Sequence, residues 1–323
     1  MAGADDTAEV RRTPDGAIFG VVFLLVFAFS YSEEIVRGLF HAIGHHEPLK
    51  WRIAMIVADA AILLWVGLLK RSISRADLGP PRLWRWWWIG FATTIALDIG
   101  LSGLPDTPSL WIDVLSSTLL AVAMGVLMVS SLNADPLTLF SHRKRAALQR
   151  DWLRVSAAAP LVVGILAAYL GATVFVDFFD VGVVRTLDAD TAAKVEALPL
   201  SQQLSIKERL CSTAVNQAYF AHVVEVLPVL LLVLAVDFNY FRRTRIEAAE
   251  RATGAAMVAI MSAGLVFALS TLPWAASECG ELITPWHEYL AFEISVQAII
   301  TALATLVWVL VGHRPEDLTR KTS

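Results

Sequence analysis

The stretch of sequence that decides the fold is residues 53–69, which read IAMIVADAAILLWVGLL. Its only charged side chain is Asp59, and Arg52 and Lys70 flank it. A helix rises 1.5 Å per residue, so about 20 mostly apolar residues cross the roughly 30 Å hydrocarbon core of a bilayer. An apolar run of this kind between basic residues predicts a transmembrane helix. The acid embedded in it is a candidate functional residue.

Seven further apolar stretches repeat this pattern along the chain. With the first, the predicted spans are residues 17–32, 53–69, 86–104, 110–132, 155–179, 218–238, 254–275 and 289–311. Hydrophobic residues make up 56% of the chain and charged residues 17%, whereas soluble domains have about 45–50% and about 25%. The sequence therefore predicts an all-α polytopic membrane protein, a bundle of about eight transmembrane helices.

The distribution of basic residues predicts the orientation of this bundle. Of the 26 Lys and Arg residues, 19 fall in the segments that face the cytoplasm when both termini are cytoplasmic, and 7 fall on the other side. Cytoplasmic loops carry the excess of Lys and Arg. We therefore expect a multi-pass protein of the bacterial plasma (inner) membrane. Its expected parts are a cytoplasmic N-terminal tail (1–16), a transmembrane domain (17–312) with a long outer loop (180–217), and a cytoplasmic C-terminal tail (313–323).

Two features of the topology allow more than one interpretation. Residues 18–29 are also about as long as the core of a signal peptide, and cleavage after Ala28-Phe29-Ser30 would leave seven spans. Ser102-Gly-Leu-Pro105 after the third span has a counterpart in Ser270-Thr-Leu-Pro273 at the end of the seventh. This similarity between the two halves is consistent with two parallel four-helix repeats, although Pro is common at span ends in any case.

The residues most informative about function are acids within the spans. Spacings of three and four place Glu225 with His222, and Glu293 with Gln297, on single helix faces. An ionisable group at the bilayer centre costs on the order of 3 kcal/mol on insertion scales, so such groups usually face the bundle interior or water. The candidate ion- or proton-binding residues are Glu225, His222, Glu293, Asp98 and Asp59.

The spans offer these acids almost no fixed positive partner, because His222 is the only basic side chain in the outer half of a span. Unpaired acids in low dielectric bind a proton or a cation. The interpretation we favour is a proton- or cation-coupled carrier with an acidic cavity open to the outside. Two alternatives stay open: a non-catalytic subunit of a larger membrane assembly, and a membrane-embedded enzyme that acts on a lipid or isoprenoid.

Metal and cofactor motifs give little support for other chemistry. His41, His45 and His46 could chelate a divalent metal on a helix, but Gly44 and Pro48 interrupt them, so a solvated loop is the favoured interpretation. No cofactor motif is present, and no catalytic residue is assigned. The expected partners are the lipid bilayer, other membrane subunits and an unidentified small ion or solute. Nucleic acid is not expected, since no Lys/Arg tract with interleaved aromatics occurs.

The chain has only two cysteines, Cys211 and Cys279. Both fall in outer segments under a topology derived from Lys and Arg alone, on either side of the hairpin formed by the sixth and seventh spans. The outer face of a bacterial inner membrane is an oxidising compartment. The sequence therefore predicts a disulfide between them.

Overall fold

The computed structural model describes residues 15–42, 48–77, 82–102, 110–137, 146–178, 193–195, 197–203, 215, 217–241, 248–272 and 283–312. Within these ranges the chain is helical and has no strand. The main helices are α1 (Asp15–Phe23), α2 (Ser32–Ala42), α3 (Pro48–Asp77), α4 (Arg82–Ser102), α5 (Leu110–Ser131), α6 (Ala146–Phe178), α7 (Gln217–Phe241), α8 (Ala248–Thr271) and α9 (Ile283–Gly312), and a π-helical segment (Leu24–Phe29) follows α1.

Six stretches within these helices are long enough and apolar enough to cross a membrane. They are Leu49–Arg75, Trp111–Ser131, Arg154–Thr173, Ala218–Val236, Glu250–Thr271 and His287–Leu310. Each corresponds to one of the predicted spans, so the multi-pass helical class is confirmed.

The first and third predicted spans are also helical but do not belong to this set. The apolar helical stretch Gly16–Phe29 is shorter than the other six, and at 1.5 Å per residue it covers only about 21 Å. Helix α4 has sufficient length, but it begins with arginines and four tryptophans, whose polar groups lower its mean hydropathy. The count of eight, the sidedness of the termini and the repeat stay predictions.

Contacts divide the chain into two compact units. The first contains Met1–Ser102, Ala123–Ala158 and Arg245–Ala256, and the second contains Gly103–Val122, Ala159–Thr244 and Met257–Ser323. Helices α1 to α4 therefore belong entirely to the first unit, and α7 and α9 to the second. Helices α5, α6 and α8 each contribute one part to each unit.

The first unit is built around one face of α3. Buried residues recur on it every three or four positions, as expected for a helix with a single packed face: Met55, Asp59, Leu63, Val66, Lys70 and Ile73. Helix α4 packs closely here, since a Cβ atom on Gly67 would lie 2.8 Å from the ring of Trp87. Gly90 of α4 lies against Leu127 in the same way, with its Cβ position 2.7 Å from Cγ.

The second unit is built around α9. The spanning part of α9 is the most buried of the six, at 61%, whereas that of α7 is only 22% buried. Gly264 of α8 and Gly164 of α6 lie directly against α9, at Ala298 and Thr301 respectively. Small residues at such crossings let the backbones of membrane helices approach closely.

Candidate functional site

Asp59 lies near the middle of α3 and is only 3% exposed. Its carboxyl group is hydrogen-bonded to the side chain of Ser32, the first residue of α2. Its Oδ1 atom is buried and has no hydrogen-bond partner among the described residues. Buried carboxyl oxygens normally have a hydrogen-bond partner, so Asp59 is a candidate for binding a proton, a cation or a water molecule.

The hydroxyl group of Ser32 connects Asp59 to an interruption in the first helical segment. It also lies 2.9 Å from the carbonyl oxygen of Phe29, to which it donates. A hydroxyl group carries one proton and cannot donate fully to both acceptors. The carbonyl oxygen of Phe29 and the carboxyl group of Asp59 therefore compete for the one hydroxyl proton of Ser32.

Asp98 is the second buried acid of the first unit and lies one turn before the end of α4. It is 8% exposed, and its Oδ2 atom has no hydrogen-bond partner among the described residues. Its carboxyl group interacts electrostatically with those of Asp59 and Glu33. The structure thus brings together Asp59 and Asp98, which lie 39 positions apart in the sequence. Glu33 is a third acid close enough to interact with Asp98.

Ser32 and Glu33 were not among the residues predicted for the site. Their position follows from the π-helical segment, which ends in a turn at Ser30 and Tyr31 immediately before α2. The hydroxyl group of Ser30 donates to the carbonyl oxygen of Leu25, five residues earlier. π-helical turns are frequent at functional sites. The signal in the sequence was the polar group Ser30-Tyr31-Ser32 at the end of an apolar run.

Lys70 was not among the predicted site residues either. It lies on the buried face of α3 and is fully buried. Its ammonium group donates to the carbonyl oxygen of Ser130, lies 3.5 Å from Oδ1 of Asn133, and stands 5.2 Å from the centroid of the Trp84 ring. At 1.5 Å per residue it is about 16 Å along α3 from Asp59, too far for an ion pair.

The group that holds Lys70 is the C-terminus of α5. Asn133 has a positive φ of 57°, and the amide groups of Asn133 and Ala134 bond to the carbonyl oxygens of Ser130 and Val129, which is a Schellman cap. Nη1 of Arg154 donates to the carbonyl oxygen of Leu132 at 2.9 Å. Cations are favoured at a helix C-terminus. We therefore assign Lys70 and Arg154 to the support of the first unit.

In the second unit, Glu293 lies on the buried face of α9, at 3% exposure. Gln297, one turn later, is also buried, and both residues have interaction partners within the protein. Nearby on the same helix, Oε1 of Glu288 accepts a hydrogen bond from the amide of Val215 at 2.7 Å. Ser295 pairs with the hydroxyl group of Tyr219 at 3.0 Å.

Glu225 and His222 lie on an exposed face of α7. Nδ1 of His222 is 3.6 Å from Oε2 of Glu225, and each side chain is 76% exposed. The predicted pairing on one helix face is therefore present. The pair does not share the buried environment of Glu293, the third candidate in the second unit.

The remaining predicted positions are the two cysteines and the three histidines. Cys211 and Cys279 lie outside the described residues, and the disulfide stays a prediction. His45 and His46 also lie outside, and only the backbone of His41 is described. Among the described residues, no group of three or more His, Cys, Asp or Glu side chains is arranged to hold a metal ion.

No protein-family model matches this chain, and comparisons with curated proteins and with solved structures gave no match.

Proposed function

We propose that this protein is a proton- or cation-coupled carrier of the bacterial inner membrane, and that Asp59 and Asp98 bind the transported or coupling ion. One observation carries the proposal. Two buried carboxyl groups of the same unit interact with each other, and each has an oxygen atom with no hydrogen-bond partner among the described residues.

Electrostatics explains why this arrangement suits ion transport. Two carboxylates in low dielectric cannot both hold a negative charge without a large energetic penalty. The pair therefore takes up a proton or a cation when it leaves contact with water, and releases it when water returns. Intramembrane acids with these properties commonly mark the paths of ions and protons.

The proposed topology places the pair in the membrane between two aqueous sides. It has eight spans, both termini in the cytoplasm, and two parallel four-helix repeats. In this arrangement Asp98 lies in the outer half of the bilayer and Asp59 near the middle. The pair would form the floor of an acidic cavity that opens to the outside.

Glu293, Glu225 and His222 are the other proposed ion-binding residues of the second unit. Glu293 is buried on the central helix of that unit, which is consistent with such a role. Glu225 and His222 are exposed, which suits proton uptake at the surface of the second unit better than ion binding in a buried site.

One observation favours a second candidate function, that of a non-catalytic subunit in a larger membrane assembly. Helix α7 is the least buried of the six spanning helices, and it carries the exposed His222–Glu225 pair within an apolar surface. A polar pair on such a surface suits contact with another membrane subunit. Glu225→Gln would then weaken recovery of an assembly without altering proton movement by the purified protein.

The test of the carrier uses purified protein in liposomes that contain a pH-sensitive dye. A potassium gradient with valinomycin supplies a membrane potential, negative inside, that drives protons inward. We expect the wild-type protein to acidify the interior, and Asp59→Asn and Asp98→Asn each to lower the rate to that of empty liposomes.

The matched control is Asp113→Asn, which removes an acid from the half-buried first turn of α5 and should leave the rate unchanged. The proposal is contradicted if the wild-type protein moves protons into the liposomes and Asp59→Asn and Asp98→Asn move them at the same rate.

A further inference from the structure

Thr94 also carries a buried oxygen atom with no hydrogen-bond partner among the described residues. The residue is fully buried on α4, and Oγ1 is the unpartnered atom. Asp98 follows four positions later, so the two side chains lie on one face of the helix. Thr94 and Asp98 continue the buried stripe of α4 that begins with Leu83, Trp87 and Gly90.

The hydroxyl group of Thr94 differs from those of most helical threonines in this protein. The usual solution for a threonine in an apolar helix is to donate to a carbonyl oxygen three or four residues earlier. Five threonines do this, with distances from 2.6 to 3.2 Å: Thr118, Thr173, Thr253, Thr271 and Thr305. Thr301 is also unpartnered, but it lies against Gly164, where it occupies the space of a missing side chain.

The packing of α3 against α4 places Thr94 at the level of Asp59. Gly67 meets Trp87 and Lys70 meets Trp84, so three steps forward on α3 correspond to three steps back on α4. Asp59 lies eight residues before Gly67 on α3. In this antiparallel register its level on α4 is eight residues after Trp87, at residue 95. Thr94 is next to that level, and Asp98 is about one turn farther out. The three residues that carry the unpartnered oxygen atoms, Asp59, Thr94 and Asp98, therefore lie within about 6 Å of depth along the two helices.

The chemistry of this group suits a small alkali cation. Its members are two carboxylates and a neutral hydroxyl group, and oxygen atoms are the ligands that hard cations prefer. Binding of a proton requires only one carboxyl group, and the hydroxyl group of Thr94 would then have no function in the site. Because the two carboxyl groups cannot both hold a negative charge in low dielectric, one of them keeps its proton, and the single remaining charge matches a monovalent cation better than a divalent one. The turn at Ser30 and Tyr31 interrupts the regular helix beside the site, and interrupted membrane helices supply oxygen ligands for sodium in transporters.

We propose that Asp59, Thr94 and Asp98 together bind a monovalent alkali cation, for which sodium is the probe. This inference rests on the proposed function, because it uses the same two carboxylates. It specifies the ion as a monovalent alkali cation and adds a ligand that is not an acid, the hydroxyl group of Thr94. Thr94 then determines the specificity of the site, since it provides the neutral oxygen that a proton does not need.

The experiment measures equilibrium binding of radioactive sodium to the purified protein, with choline replacing sodium at constant ionic strength. We expect saturable binding by the wild-type protein. Thr94→Val keeps the shape of the side chain and removes the hydroxyl oxygen, so it should weaken binding by about tenfold to a hundredfold, the range for loss of one supporting group in a metal site. Thr94→Ser keeps the oxygen and should restore most of the affinity.

The matched control is Thr93→Val, which makes the same chemical change on the exposed face of α4 and should leave sodium binding unchanged. If Thr94→Val fails to fold, sodium binding is compared among wild type, Thr94→Ser and Asp98→Asn. The cation site predicts that Thr94→Ser keeps most of the affinity for sodium and that Asp98→Asn loses it.

Two results would overturn the inference: absence of saturable sodium binding by the wild-type protein, or equal affinity in Thr94→Val. If sodium does not bind while the liposome experiment shows proton movement that depends on Asp59 and Asp98, only the inference falls. If neither sodium binding nor proton movement depends on Asp59 and Asp98, the proposed function is contradicted as well.

Discussion

The hydroxyl group of Ser74 donates to Oδ1 of Asn133 at 2.9 Å and so joins α3 to the residue that closes the C-terminus of α5. Asn133 is also the one described residue other than glycine with a positive φ. Its backbone and its side chain therefore have separate roles. The backbone forms the cap of α5, and the side chain connects that cap to the helix that carries Asp59 and Lys70.

Substitutions at Asn133 separate these two roles. Asn133→Gly and Asn133→Ala both remove the amide oxygen, but only alanine resists the left-handed backbone conformation. We expect Asn133→Ala to unfold more easily than Asn133→Gly by about 1–2 kcal/mol. The measurement is the thermal or denaturant midpoint of the purified protein in detergent. Equal stability of the two variants would show that this cap does not contribute to the stability of the fold.

Two glycines of α4 provide a test of the packing in the first unit. A Cβ atom on Gly90 would lie 2.7 Å from Cγ of Leu127, whereas Gly100 has nothing within 4 Å of its Cβ position. We expect Gly90→Ala to lower the stability by about 1–3 kcal/mol through overpacking. Gly100→Ala should be neutral or stabilising, because alanine favours helix over glycine by about 1 kcal/mol. Thermal unfolding of both variants compares them, and a reversed order would contradict the packing of α4 against α5.

The orientation in the membrane predicts which introduced cysteines react with a reagent that cannot cross the membrane. In a background without Cys211 and Cys279, cysteines at positions 141 and 319 should be shielded in intact cells, and a cysteine at position 189 should be labelled. Labelling after lysis confirms that each variant is present and reactive. External labelling at position 141 would contradict the eight-span arrangement, since that segment carries five of the basic residues assigned to the cytoplasm.

The predicted disulfide gives a test on the outer side of the membrane. Cys211 precedes the sixth predicted span and Cys279 follows the seventh. We expect mass spectrometry of protein alkylated before lysis to recover the two cysteines as one linked peptide pair. The bond would stabilise the protein by about 3 kcal/mol according to the chain-entropy estimate, so reduction should lower the thermal midpoint. Recovery of both thiols in alkylated form would show that the bond is absent.

Most of the helical architecture could be predicted from the sequence, because it depends on local composition. Residues 53–69 were predicted as a span, and the structure extends that helix in both directions to Pro48–Asp77. The prediction at 110–132 agrees with Leu110–Ser131 to within one residue. The start of α4 was less predictable, since Arg82 and Trp84 extend the helix beyond the apolar run on which the prediction was based.

The candidate site could be predicted only in part. Asp59 and Asp98 were candidates because each is an acid in an apolar run, but nothing in their spacing showed that they share one unit. Thr94 could not have been singled out, because a threonine in a membrane helix is normally satisfied by its own backbone. Lys70 looked like one of several basic residues at the end of a span, although the structure buries it completely.

Sequence alone determined which segments are helices and which are apolar enough to enter a membrane, because these properties depend on neighbouring residues of the same segment. Tertiary structure alone decided which polar side chains are buried together. Asp59 and Glu225 are alike in sequence, since each is an acid within a long apolar run. One is buried beside a second acid, and the other is exposed beside a histidine. The difference arises because burial depends on which face of each helix its neighbours cover, and that is set by contacts between residues far apart in the chain.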